Sequence, residues 1–123
     1  MSQLGLGPIL LVAAGGALGS VLRYAVSVLM VASLGAGFPW GTLAVNVLGS
    51  AAIGALAGLG VEGGWRLLLV TGLLGGFTTF SAFSLEAALL WERAWWLALV
   101  YVLASVALGL AGFALGYGLL RRL

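Results

Sequence analysis

Cysteine, histidine, lysine and aspartate are all missing from the 123 residues, and each absence closes a class of chemistry. Without cysteine there is no disulfide framework, no thiolate nucleophile and no zinc site of the usual kind. Without His, Asp or Lys, acid–base chemistry has only glutamate to draw on, so no enzyme is expected. Charge of either sign is scarce: five Arg and three Glu make up 7% of the chain, against about 25% in a soluble domain. A net charge of +2 on scattered arginines leaves no footprint for nucleic acid. What fills the space is apolar: 63% of residues are hydrophobic, a surface that water cannot hold, so the expected solvent is a lipid bilayer. The first apolar run lacks a basic leader and is read as a retained span, not a cleaved signal peptide.

The spans follow from spacing, since a bilayer crossing takes about 20 apolar residues. Residues 4–61 carry one charge, Arg23, and a break at "SLGAGFPWG", residues 33–41, where Gly35, Gly37 and Pro39 mark a turn. Glu62 and Arg66 bracket a second short loop, and "WERAWW" ends a third span with tryptophans at interface depth. The sequence thus predicts an all-α membrane protein, a single four-span domain over 1–123, with spans at about 4–32, 40–61, 66–92 and 94–119. Both termini and the 62–66 loop fall on one side with Arg66, Arg121 and Arg122, opposite Arg93 and, if it lies near the far end of its span, Arg23. That bias is weak, compatible with insertion in both orientations or with a modest preference for one.

Polar residues recur along the spans. Thr42, Asn46, Ser50, Gly54 and Gly58 are spaced by four and share one face of the second span. An asparagine at membrane depth needs partners. It serves as glue to a neighbouring helix or as a donor to something passing; the glycines read as packing. Tyr101 and Ser105, one turn apart on the fourth span with Gly109, Gly112 and Gly116 beyond, either extend this polar track or bond local carbonyls. Arg23 either snorkels to the interface or stands in a water-filled mouth and draws anions inward.

The stretch "GLLGGFTTFSAFSLEAALL", residues 72–90, is the anomaly: too apolar for a loop, too polar for a plain span. Gly75, Gly76, Thr78 and Thr79 all weaken a helix, which predicts a break at mid-membrane. Such a break survives only where protein or water covers it. It frees carbonyls that suit a small, hard cation. Beyond it, Phe80 and Phe83 share a face, with Ser81 and Ser84 beside them. Phenylalanine usually packs or faces lipid, yet its ring edge is positive, and several edges beside an amide and hydroxyls would suit a small anion. Glu86 lies one turn on, as a proton carrier or as an acceptor that orients hydroxyls.

The run "GGFTTFSAF" at 75–83, "NVLG" at 46–49 and "GALGSVLRY" at 16–24 together resemble the Fluc (CrcB) family of fluoride channels over essentially the whole chain. The resemblance implies a passive fluoride-selective channel in the bacterial inner membrane that exports cytoplasmic fluoride. It implies an antiparallel, dual-topology homodimer with two pores at its interface. In this sequence it assigns the pore to Asn46, Phe80, Phe83, Ser105, Thr42, Ser81, Tyr101 and Glu86, and the vestibule to Arg23. It also implies a structural Na+ on the dimer axis, held by the backbone carbonyls of Gly75 and Thr78. Gly109 stands where some members carry a further hydroxyl. Two other readings compete. A proton-coupled small multidrug-type transporter has four short spans too, but its essential acid lies in span one, where this chain has only Arg23. A non-conducting helper subunit would use the glycine seams alone.

Overall fold

In the computed structural model, which describes residues 2–123, every regular element is helical. A 3-10 turn at Ser2–Leu4 leads into α1 (Leu6–Leu34), and α2 follows at Trp40–Leu59. The third span, Gly63–Arg93, is composite. It consists of α3 (Gly63–Arg66), a π-helical stretch at Leu67–Leu74, α4 (Gly75–Phe77) and, past two extended residues, α5 (Phe80–Arg93). The last span is α6 (Trp95–Leu120). The four spans hold 29, 20, 31 and 26 residues, each long and apolar enough to cross a membrane. The third begins at Gly63, at φ 63, a little before the expected start at Arg66.

The turns are made where glycine permits them. Gly35, at φ 80, ends α1 with its N–H on the Val31 carbonyl, and Gly60, at φ 72, closes α2 in the left-handed region. The α5–α6 joint needs no glycine: Ala94 alone, extended at φ −158, connects the two helices, its N–H on Leu90 O at 2.7 Å.

With lipid outside there is no hydrophobic drive between spans, so close backbone approach supplies the attraction. Two glycine seams provide it. On α1, a Cβ at Gly15 or Gly19 would run into the Leu68 or Leu73 carbonyl of the π-helical stretch. From the other side, a Cβ on Gly76 would meet Gly16 O at 2.6 Å. Between α2 and α6, Gly54 lies against the Phe113 carbonyl and Gly116 against that of Ala51. Gly54 and Gly58 of the second span and Gly112 and Gly116 of the fourth are therefore packing residues. A small core of Leu43, Leu90, Ala98 and Tyr101, with Phe38 and Phe83 packed on it, ties α2 to the α5–α6 hairpin. Leucines such as Leu18, Leu103 and Leu110 stay exposed on the outer faces, as lipid contact requires.

Candidate functional site

The third span leaves the helix only at Thr78 (φ −88, ψ 157) and Thr79 (φ −152, ψ 119). The break falls within the predicted window, but Gly75 and Gly76 remain helical. Gly76 is needed small because α1 lies against it, and that contact supports the helix its low propensity would weaken.

The hydrogen bonds at the break show what it exposes. In a continuous helix the Thr79 N–H would go to the Gly75 carbonyl and the Ala82 N–H to that of Thr78. Here the Thr79 N–H donates to Asn46 Oδ1 at 2.8 Å, and the Ala82 N–H to Thr79 Oγ1 at 3.1 Å, a threonine N-cap for α5. The Gly75 and Thr78 carbonyls are thereby released from both partners. The neighbouring Gly76 carbonyl accepts from Arg23 Nε at 3.0 Å. A guanidinium suits the end of a half-helix, where the backbone carries negative partial charge. Arg23 therefore reaches a carbonyl near the middle of the third span.

Asn46 holds the break from α2. Its Nδ2 donates to Thr79 O at 3.0 Å while its Oδ1 accepts from the same residue's N–H. Because a peptide N–H only donates and a C=O only accepts, these two bonds fix the amide's orientation. One Nδ2 hydrogen is left over. Asn46 lines a groove of about 430 Å³ together with Gly75, Thr78, Phe80, Phe83 and Ser105. Glue and available donor are thus combined in one side chain.

Around this groove the aromatic rings follow one another. Phe80 and Phe83 have centroids 5.6 Å apart, and Phe83 lies 5.2 Å from Tyr101. Phe80 is 78% exposed on the bare chain, so the groove opens on an outer face. The hydroxyl of Ser105 is buried without a hydrogen-bond partner among the described residues, and the buried hydroxyl of Tyr101 lies toward the Thr42–Glu86 pair. The expectation that they bond local carbonyls does not hold; Ser84, by contrast, does bond back to Phe80 O, at 3.0 Å. Deeper toward the α1–α2 loop, Thr42 donates to Glu86 Oε1, and both line a second cavity of about 140 Å³. Glu86 accordingly acts as an acceptor that orients a hydroxyl.

Of the residues singled out by sequence, Asn46, Phe80, Phe83, Ser105, Gly75 and Thr78 meet at the groove. Thr42 and Glu86 form the second cavity, with Tyr101 between the two. Ser81 is exposed, 3.2 Å from the Thr79 hydroxyl, and lines neither. Sequence reasoning missed the part played by Thr79, although a threonine directly before a helical run is a readable N-cap signal. It also passed over Phe38, whose position inside a glycine- and proline-marked turn gave no helical periodicity to read.

Fold and site together define a polytopic helical membrane protein with a discontinuous third span and a polar, aromatic-lined groove at its break. The chain belongs to the CrcB family: residues 10–117 match the family described as CrcB-like protein, Camphor Resistance (CrcB). It is similar to the "Fluoride-specific ion channel FluC" of Rhizobium meliloti (strain 1021), 51% identical over 119 residues that cover 92% of this chain and 95% of that protein. The protein of the same name from Phenylobacterium zucineum (strain HLK1) is 53% identical over 121 residues, 93% and 95% of the two chains. That of Agrobacterium fabrum (strain C58 / ATCC 33970) is 51% identical over 123 residues, 94% and 97% of the two.

Proposed function

We propose that this chain is a passive, fluoride-selective channel of the bacterial inner membrane that lets cytoplasmic fluoride out. The observation that carries the reading is the buried, unpartnered hydroxyl of Ser105, set in one groove with the Asn46 amide and the Phe80 and Phe83 rings. Fluoride holds its water tightly, so a selective path must replace that shell with donors and still release the ion. The spare Asn46 N–H, the hydroxyls of Ser105 and Tyr101, and the positive ring edges of Phe80 and Phe83 are such donors, none of them a full charge that would trap an anion; the one hydroxyl proton of Thr42 is given to Glu86. Glu86 lines the same track and turns the Thr42 hydroxyl toward itself, and Ser81 adds a hydroxyl near the break. Arg23, on the Gly76 carbonyl, contributes positive potential at the same depth.

The working unit in this reading is an antiparallel homodimer assembled from both orientations, with two such paths at its interface. An asparagine amide, a serine hydroxyl and a broken backbone in a groove open to acyl chains are costly, which makes this the face for a second copy to cover. The charge bias, Arg66, Arg121 and Arg122 against Arg93, is small enough for insertion both ways. The released carbonyls of Gly75 and Thr78 fit a structural Na+, because a hard cation takes oxygen ligands. Two oxygens per chain make a poor cage alone, and a second copy across the axis would bring the number to about four. An ion there would supply fixed positive charge on the dimer axis. A proton-coupled transporter finds no support: Glu86 is engaged by Thr42, and α1 has no acid.

The test is reconstitution. The purified protein in liposomes should release fluoride, read by a fluoride electrode, without an imposed proton gradient and with little chloride efflux. Absence of fluoride release, or release only with a proton gradient, would refute the proposal.

A further inference from the structure

The ring series does not stop at Tyr101. Phe38 meets Tyr101 edge to face, with centroids 5.5 Å apart and planes at 87°, and Trp40 lies 4.7 Å from Phe38. Rings therefore run in contact from the mid-span break to the α1–α2 loop: Phe80, Phe83, Tyr101, Phe38. Phe38 also lines the second cavity, the one that contains Thr42 and Glu86. Glu86 is the only carboxylate on the inner part of α5; Glu92 lies at its exposed end.

The loop that presents Phe38 is held from several directions. Arg93, at the end of α5, donates through Nη2 to the Gly37 carbonyl at 2.6 Å. Gly35 takes the left-handed conformation that starts the turn, and the Trp40 N–H closes it on Phe38 O at 2.8 Å. Arg93 thereby ties the peptide before Phe38 to the end of α5, the helix that carries Phe80 and Phe83.

We infer that Phe38 is a specificity-determining residue of the same path: a third phenylalanine, the ring an anion meets next beyond Tyr101 toward the α1–α2 loop, kept in register by Arg93. The inference rests on the channel reading above. Its chemistry is that of Phe80 and Phe83, a positive ring edge offered beside hydroxyl donors in place of water.

The experiment compares three single variants with the wild type in liposomes. Fluoride and chloride efflux and the unfolding midpoint in detergent are measured for each. Phe38→Leu keeps apolar volume and loses the ring; fluoride efflux should fall about tenfold, as expected for losing one aromatic contact to the passing ion. Arg93→Gln keeps the ring and removes the latch; fluoride efflux should fall and the fluoride-over-chloride ratio narrow. Phe113→Leu, which removes a ring stacked on Tyr117 away from this path, should match the wild type. Wild-type efflux and selectivity in either folded Phe38→Leu or folded Arg93→Gln would overturn the inference. So would an equal loss in Phe113→Leu. A wild type that conducts no fluoride would instead defeat the channel reading itself, which keeps the two failures apart.

Discussion

Replacing Asn46 tests the break and the path at once. Asn46→Ala removes the acceptor of the Thr79 N–H and the donor to the Thr79 carbonyl, bonds of 2.8 and 3.0 Å. Neither peptide group has a helical alternative, since Thr79 is extended at φ −152. An unsatisfied buried donor or acceptor costs about 1–3 kcal/mol, so the pair should cost about 2–6 kcal/mol. Set against a typical total of about 5–15 kcal/mol, that is a severe loss. At this chain length the unfolding midpoint in detergent should drop by about 6 °C or more. Asn46→Asp separates the two roles. The carboxylate still accepts from the Thr79 N–H, so the break is partly held, but it offers an anion no donor and adds a charge of its own sign. Fluoride efflux from liposomes should vanish. A wild-type midpoint in Asn46→Ala would show that the amide does not hold the break. Wild-type efflux in Asn46→Asp would remove Asn46 from the path.

Other perturbations separate packing from passage. Ser105→Ala should leave the unfolding midpoint unchanged or raised, because its hydroxyl is buried without a partner, yet efflux should fall severalfold. Thr79→Val deletes the N-cap of α5 and should cost about 1 kcal/mol in denaturant unfolding, with Thr79→Ser restoring it. Gly19→Ala places a methyl against the backbone carbonyl of Leu73, which cannot rotate away. Overpacking of about 1–3 kcal/mol should appear as a lowered midpoint, while Gly7→Ala, which meets nothing, should be neutral.

The sequence made the four spans legible because each apolar run ends in glycine, proline or charge, and the fold follows those stops closely. The break was legible from composition, but its extent was not. Weak helix formers cannot reveal which of them a neighbouring helix will support, and α1 supports Gly76. The π-helical stretch at Leu67–Leu74 left no trace in an unbroken run of apolar side chains. Spacing by four put Asn46 on the right face of α2, yet the register between α2 and the third span decides that it meets Thr79. Arg23 illustrates the same limit: its charge was visible, but its target is a carbonyl on another span. Phe38 escaped notice because turn residues are read for their backbone, not for what their side chains touch.

The single alanine between the last two spans leaves no slack in that corner. Any tilt of the segment bearing Phe80 and Phe83 must be passed on directly to the one bearing Tyr101 and Ser105. With Leu90 packed against Ala98 and Phe83 against Tyr101, the two segments are tied at the corner and again along their length, so rings and hydroxyls are placed by one hairpin.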